Sequence, residues 1–158
     1  MSARKLNAKQ LHIVYFCAVE CEMQMSGEAS VDWMVRAWNY ALDYSQRRKP
    51  TEADVRALGG TVEPQKNRFG FRLCRVRVGS DVKMDYRKVP GALASLIAGT
   101  DALTPAEWFR EYEEIHPFVD GNGRTGQILF NWLNGTLGDP VWAPNFWNDP
   151  RRVEGRGA

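Results

Sequence analysis

A chain of 158 residues, 44% hydrophobic, 25% charged and 11% aromatic, has the composition of an ordinary globular domain and is long enough to bury a core. Its net charge of +2 does not suggest a dedicated nucleic-acid binder, and no run of about twenty apolar residues is present to span a membrane. Cys17, Cys21 and Cys74 make an odd count, poorly suited to a disulfide framework. Cys17 and Cys21 sit in an apolar helical pattern and read as buried thiols, since Zn²⁺ wants about four ligands. The first residues carry charge, and the apolar run behind them lacks a small-residue cleavage site, so no signal peptide is expected and the cytoplasm is the predicted location.

Asn7 followed by Gln10 reads as a capping box opening a helix over 8–25, with Leu11, Val14, Tyr15, Ala18 and Val19 on its inner face. Ser30 caps a second helix reaching about 46, whose stripe of Val31, Met34, Val35, Trp38 and Leu42 repeats at the helical period. Trp33 and Tyr40 lie off that stripe and point to a second contact. Thr51 caps a short helix over 52–58, ended by Gly59-Gly60. Residues 71–86 are the one β-like region: Phe71, Leu73, Val76 and Val78 alternate imperfectly with arginines, Gly79-Ser80-Asp81 turns, and Val82, Met84 and Tyr86 alternate cleanly. This predicts one hairpin with a phase slip near Cys74, and a hairpin alone is marginal in water, so it must lie on something.

Pro90 opens a helix over 91–98. Thr104-Pro105-Ala106-Glu107 is a strong helix start, and that helix carries Trp108, Phe109, Tyr112 and Ile115 inward and delivers His116 at its end. A last helix over 124–134 presents Ile128, Leu129, Trp132 and Leu133 and stops at Gly135. Residues 135–150, with Pro140, Trp142, Pro144, Phe146, Trp147 and Pro150, read as an extended strap, and 151–158 as a basic tail that frays. The predicted architecture is all-α, a single domain with its core over about 7–134.

The chemistry concentrates in residues 116–127, His-Pro-Phe-Val-Asp-Gly-Asn-Gly-Arg-Thr-Gly-Gln. Gly121, Asn122 and Gly123, between two helices, permit a backbone that turns successive N–H groups toward one point, and the next helix adds its positive end. Arg124 offers a guanidinium fork to phosphate. Asp120 would repel phosphate directly but suits a divalent cation, Mg²⁺ above all, that bridges to phosphate oxygens. His116 titrates near neutrality and can take a proton from an incoming hydroxyl. Phe118 would anchor the loop in the core. The set suits in-line phosphoryl or nucleotidyl transfer. Asp-Gly and Asn-Gly also form ordinary turns, and a histidine at a helix end ordinarily partners the dipole. The functional reading rests on all of these residues sharing one loop.

Residues 116–124 resemble the signature of the Fic family, His-x-Phe-x-Asp/Glu-Gly-Asn-Gly-Arg-x-x-Arg. The resemblance implies a Fic-like helical bundle with a β-hairpin flap over the site, here 71–86, with Phe71, Leu73, Cys74 and Val76 aligning a target segment by strand addition. It implies that His116 deprotonates a Ser, Thr or Tyr hydroxyl of a target protein, which attacks the α-phosphate of ATP. Asp120 would hold Mg²⁺, Gly121, Asn122 and Gly123 would form the anion hole, and Arg124 would meet the distal phosphates. The products are an AMP-modified protein and pyrophosphate, in a toxin-like or regulatory setting.

The family's second arginine falls on Gln127, which carries no charge, so the hold on the γ-phosphate is expected to weaken. The family's Doc branch transfers phosphate instead, but it departs from the Gly-Asn-Gly run that is intact here. A non-catalytic nucleotide- or partner-binding relative is the further alternative. No Ser or Thr is followed by Glu four residues on, so the family's built-in inhibitory helix is not readable, which leaves control by a separate antitoxin-like partner or none. The arginines and lysines of 68–88 read first as a solvated, charge-blunted hairpin face, and otherwise as an attraction for an acidic target.

Overall fold

This computed structural model describes residues 5–152. Six helices follow in order, α1 (Ala8–Met23), α2 (Ala29–Ser45), α3 (Glu52–Val62), α4 (Val89–Ala98), α5 (Pro105–Ile115) and α6 (Asn122–Asn134). Between α3 and α4 lies one antiparallel ribbon, β1 (Arg77–Val78) with β2 (Asp81–Val82). The fold is all-α with one hairpin, as predicted. The tail expected to fray lies mostly at 153–158, outside the described residues. Among the described residues no helix is long and apolar enough to cross a membrane.

Local chemistry sets several of these boundaries. Asn7 accepts from the Gln10 N–H and Gln10 returns the bond, so the capping box forms as read. Thr51 closes the same kind of box with Asp54, and Thr104 accepts from the Glu107 N–H ahead of Pro105. Gly135, in the left-handed region at φ 72°, ends α6. Ser30 differs from its expected role: α2 has already begun at Ala29, and the buried Ser30 hydroxyl donates back to the Ser26 carbonyl. The off-stripe Tyr40 makes its second contact by donating to Asp54 Oδ1 at 2.7 Å on α3.

The axis of the molecule is α6, which packs against α1, α2, α3 and α5 and is buried at every residue from Arg124 to Trp132. One hydrophobic cluster draws side chains from all six helices, including Phe16, Trp38, Leu58, Leu93, Trp108 and Ile128. A helix enclosed on all sides must also bury its polar residues, and Asn131 meets that cost by donating to Gln127 O and Val141 O.

Three expectations are corrected. The inner face of α1 is Ile13, Phe16, Cys17, Glu20 and Cys21, whereas Leu11 and Tyr15 are 54% and 59% exposed. The helix is apolar over most of its circumference, so its pattern gives no direction. Phe16, stacked on Trp142 of the strap at 3.8 Å and tilted against Trp38, fixes the orientation. Helix α3 does not stop at Gly59-Gly60 but runs to Val62. Glycine at 59 is a matter of room, because a Cβ there would stand 2.2 Å from Phe118 Cζ. The hairpin is far shorter than 71–86, with Arg77 opposite Val82 and Val78 opposite Asp81, because the rest of the fold captures its lower half.

Candidate functional site

His116 ends α5 in the left-handed conformation, φ 51° and ψ 65°, a strained setting for a non-glycine residue. Its N–H donates to Tyr112 O at 2.9 Å, and its carbonyl accepts from Arg72 Nε at 2.7 Å. Arg72 is 1% exposed, and its other nitrogens donate to Ile115 O, Cys74 O and Met84 O. Its backbone N–H also donates to Pro117 O at 2.9 Å. One guanidinium therefore ties the foot of the hairpin to the turn that aims the histidine. Read from sequence as part of a solvated basic face, Arg72 is instead buried within the site. Its only signal was its position beside the break in alternation near Cys74.

Phe118 is fully buried, as expected, with its ring 5.5 Å from that of Phe71 and its edge in the space left by Gly59. Asn122 closes the loop on itself, since Oδ1 accepts from Phe118 N at 2.9 Å and Nδ2 donates to Phe118 O at 2.8 Å. Its side chain is thus spent inside the loop, and only its backbone faces the space ahead of α6. Gly121 sits at φ 76°, where a Cβ would also press to 2.9 Å from Val62 Cγ1. Thr125 is the first N–H to find a helical acceptor, Gly121 O at 2.9 Å, which leaves the earlier N–H groups of α6 without one. The Gly121 N–H is taken by Asp120 Oδ1 at 2.8 Å.

Behind this loop stands a charged frame from α3 and the turn after it. Arg124 is buried and pairs with the buried Glu63 at 3.0 Å, with Asp120 Oδ1 at 3.6 Å. Lys66 Nζ holds Asp120 Oδ2 at 2.7 Å, and Asn67 Nδ2 donates to both Gly59 O and Asp120 O. Arg124 is thereby anchored away from the open cleft, whereas Asp120 lines it. Burial alone would raise the Asp120 carboxyl, but the bonds from Lys66 and the Gly121 N–H outweigh it and hold the pKa below the ordinary value. Asp120 therefore stays ionised.

His116, Asp120 and residues 121–123 line one cleft of about 520 Å³. Val76, Arg77 and Lys83 of the hairpin form its roof, and Gln24, which caps α1, with Trp147 of the strap and Arg151 and Arg152 just after it form the facing wall. Burial first, then the charges of Lys83 and Arg72, push the His116 pKa down to about 4, so its imidazole is neutral at pH 7. Its Nδ1 is shut from solvent and makes no well-formed hydrogen bond, though the Glu113 carbonyl stands close enough to draw the pKa partly back. Lys83 is buried, pairs with Asp81 at 3.0 Å and lies 5.8 Å from the Trp147 ring. It is a second site residue that alternation alone had assigned to solvent.

The remaining sequence candidates divide. Val76 lines the cleft as expected. Phe71 is core, and Leu73, 75% exposed, and Cys74 do not reach the cleft. Gln127 is the sharpest correction: 1% exposed, it accepts from Ala143 N at 3.0 Å and pins the strap instead of facing the cleft. It lies on the far side of α6 because residues 140–143 supply backbone partners there.

A model of the Fic/DOC family matches residues 56–134, from α3 through the end of α6, which is half of the chain. Comparison with curated proteins returns no match.

Proposed function

We propose a transfer reaction for this chain, which belongs to the Fic/DOC family: AMP passes from ATP to a Ser, Thr or Tyr hydroxyl of a target protein. The observation that carries this reading is the convergence of a neutral His116, an ionised Asp120 and the open N–H groups of α6 on one cleft. A family that includes transferases makes an enzyme the natural reading of that convergence.

Each residue then has a task. The N–H groups opening α6 receive the phosphate that reacts, where positive backbone charge meets developing negative charge. His116, neutral at pH 7, accepts the proton of the attacking hydroxyl, and Arg72 holds it in its strained orientation. A bound polyphosphate would lift the His116 pKa from its low resting value and strengthen it as a base. The hairpin roof offers its short backbone edge to an extended target segment. For Mg²⁺ the donor set fits, since Asp120 is an ionised, half-buried carboxylate on the cleft, and such a cation takes one or two carboxylates with phosphate oxygens and water. Bound there, it would neutralise phosphate charge in the transition state. Lys66 and Arg124 are the partners of Asp120 that such a cation would replace.

A second reading, a nucleotide-binding protein without transfer, draws on the internal pairing of Asp120 and Arg124 and on the low basicity of His116. A lysate incubated with this chain and either α- or γ-labelled ATP separates the readings. Nucleotidyl transfer marks protein with the α label only, in a manner lost in His116→Ala and Asp120→Ala. Transfer of the γ label alone means phosphotransfer, and neither label leaves the binding protein. Three free cysteines support the cytoplasm as the place of action, and control is left to a separate partner or to none.

A further inference from the structure

The wall that faces the start of α6 is built from α1 and residues 144–152, both outside the stretch the family model matches. Gln24 stands directly on Gly123, where a Cβ would come within 2.9 Å of Gln24 Nε2. The same Nε2 donates to Glu20 Oε1 at 3.1 Å. Glu20 is fully buried and takes a two-bond fork from Arg152, Nη2 to Oε1 at 2.7 Å and Nη1 to Oε2 at 2.9 Å. Arg151 beside it keeps its fork on Asp149 and donates to Met23 O. A cation from the end of the chain is thereby held next to the helix N-terminus through a carboxylate and an amide.

This arrangement answers a deficit at the site. A polyphosphate seated on the α6 N–H groups carries further negative charge beyond the reacting phosphate, and that charge needs a cation. Arg124 is buried on Glu63, and residue 127 is neutral and turned toward Ala143. We infer that Arg152, with the Gln24 amide beside it, receives the distal phosphates of the donor, and that Glu20 is the partner it keeps while the site is empty. The assignment rests on the nucleotide reading proposed above. A guanidinium fork fits phosphate as it fits carboxylate, so exchanging Glu20 for phosphate conserves hydrogen bonds. Four other carboxyls line the cleft. Asp149, Asp120 and Asp81 are occupied by Arg151, Lys66 and Lys83, and Glu113 is pushed up to about 7 by burial and by Glu20, so it opposes an anion less than a full carboxylate would.

The test is calorimetric binding of ATP, AMP and inorganic tripolyphosphate, with Mg²⁺, to the full chain and to Arg152→Gln and Glu20→Gln. The expected result is that Arg152→Gln weakens ATP and tripolyphosphate by about ten- to a hundredfold but AMP by less than about threefold. Glu20→Gln, which frees Arg152, is expected to keep or tighten ATP binding. An ion pair that merely docks the strap predicts the opposite, namely equal losses in both variants and for AMP as much as for ATP, and that result overturns the assignment. So does ATP binding that Arg152→Gln leaves unchanged, and in that case the nucleotide reading stands. Arg152-dependent binding of tripolyphosphate without ATP binding upholds the anion subsite and sinks the nucleotide reading. No binding of any probe sinks both.

Discussion

Between Ile115 and Asn122 the chain sets its own turn, with His116 bonded to Tyr112 and both groups of the Asn122 amide bonded to Phe118. The cleft around that loop is assembled from a distance. Arg72 reaches His116 across 44 residues, Asn67 reaches Asp120 across 53, Arg124 reaches Glu63 across 61, and Arg152 reaches Glu20 across 132. The candidate groups are therefore placed by the local sequence, and their electrostatics are a property of the fold. The His116 pKa falls to about 4 because the fold buries the imidazole and then sets the charges of Lys83 and Arg72 beside it.

If the distant frame governs the loop, breaking it should cost most where one side chain serves most groups. Arg72→Met removes the donor to four carbonyls, those of Ile115, His116, Cys74 and Met84. The expected loss is about 3–5 kcal/mol in a denaturant melt, accompanied by loss of transfer. A melt unchanged to within about 0.5 kcal/mol would show that the frame does not depend on Arg72.

Gly59→Ala sharpens the comparison from the other side. Helix propensity alone favours alanine by about 1 kcal/mol. Because the new Cβ would meet the Phe118 ring at 2.2 Å, the sign reverses, and a net loss of about 1–3 kcal/mol is expected. Stabilisation instead would mean that Phe118 moves aside freely and the loop is not tied to α3.

The smallest effect is visible only as a pH dependence. Burial, then the charge of Glu20, raises Glu113 from 4.5 to about 7. The folded state then binds more protons than the unfolded one between those values, so this group lowers stability as pH rises through that window. Glu113→Gln removes the dependence and is expected to stabilise the fold at pH 8 with little change at pH 4. Parallel stability curves for the two proteins would place Glu113 in water.

What the sequence made legible follows the same division. Caps at Asn7, Thr51 and Thr104, the stop at Gly135 and the loop of 116–123 between two helices are local signals, and each lies where it was read. Arg72 and Lys83 were read as solvated because a strand-like alternation marks arginine and lysine as outward, and nothing local announces the carbonyls or the Trp147 ring awaiting them. Gln127 was expected to face the distal phosphates because the family's second arginine falls on its position. It is buried on the strap because α6 is enclosed on all sides and its polar side chains must find partners wherever backbone is available. The inner face of α1 was unreadable for a related reason, since the charge that balances its buried Glu20 comes from Arg152, 132 residues away.

The most direct test of the whole account is the mass of a target protein after incubation with this chain, ATP and Mg²⁺. The account predicts an added AMP group on a Ser, Thr or Tyr side chain, absent with His116→Ala although that variant still binds ATP. An added phosphate, or an AMP adduct formed equally well by His116→Ala, would contradict it.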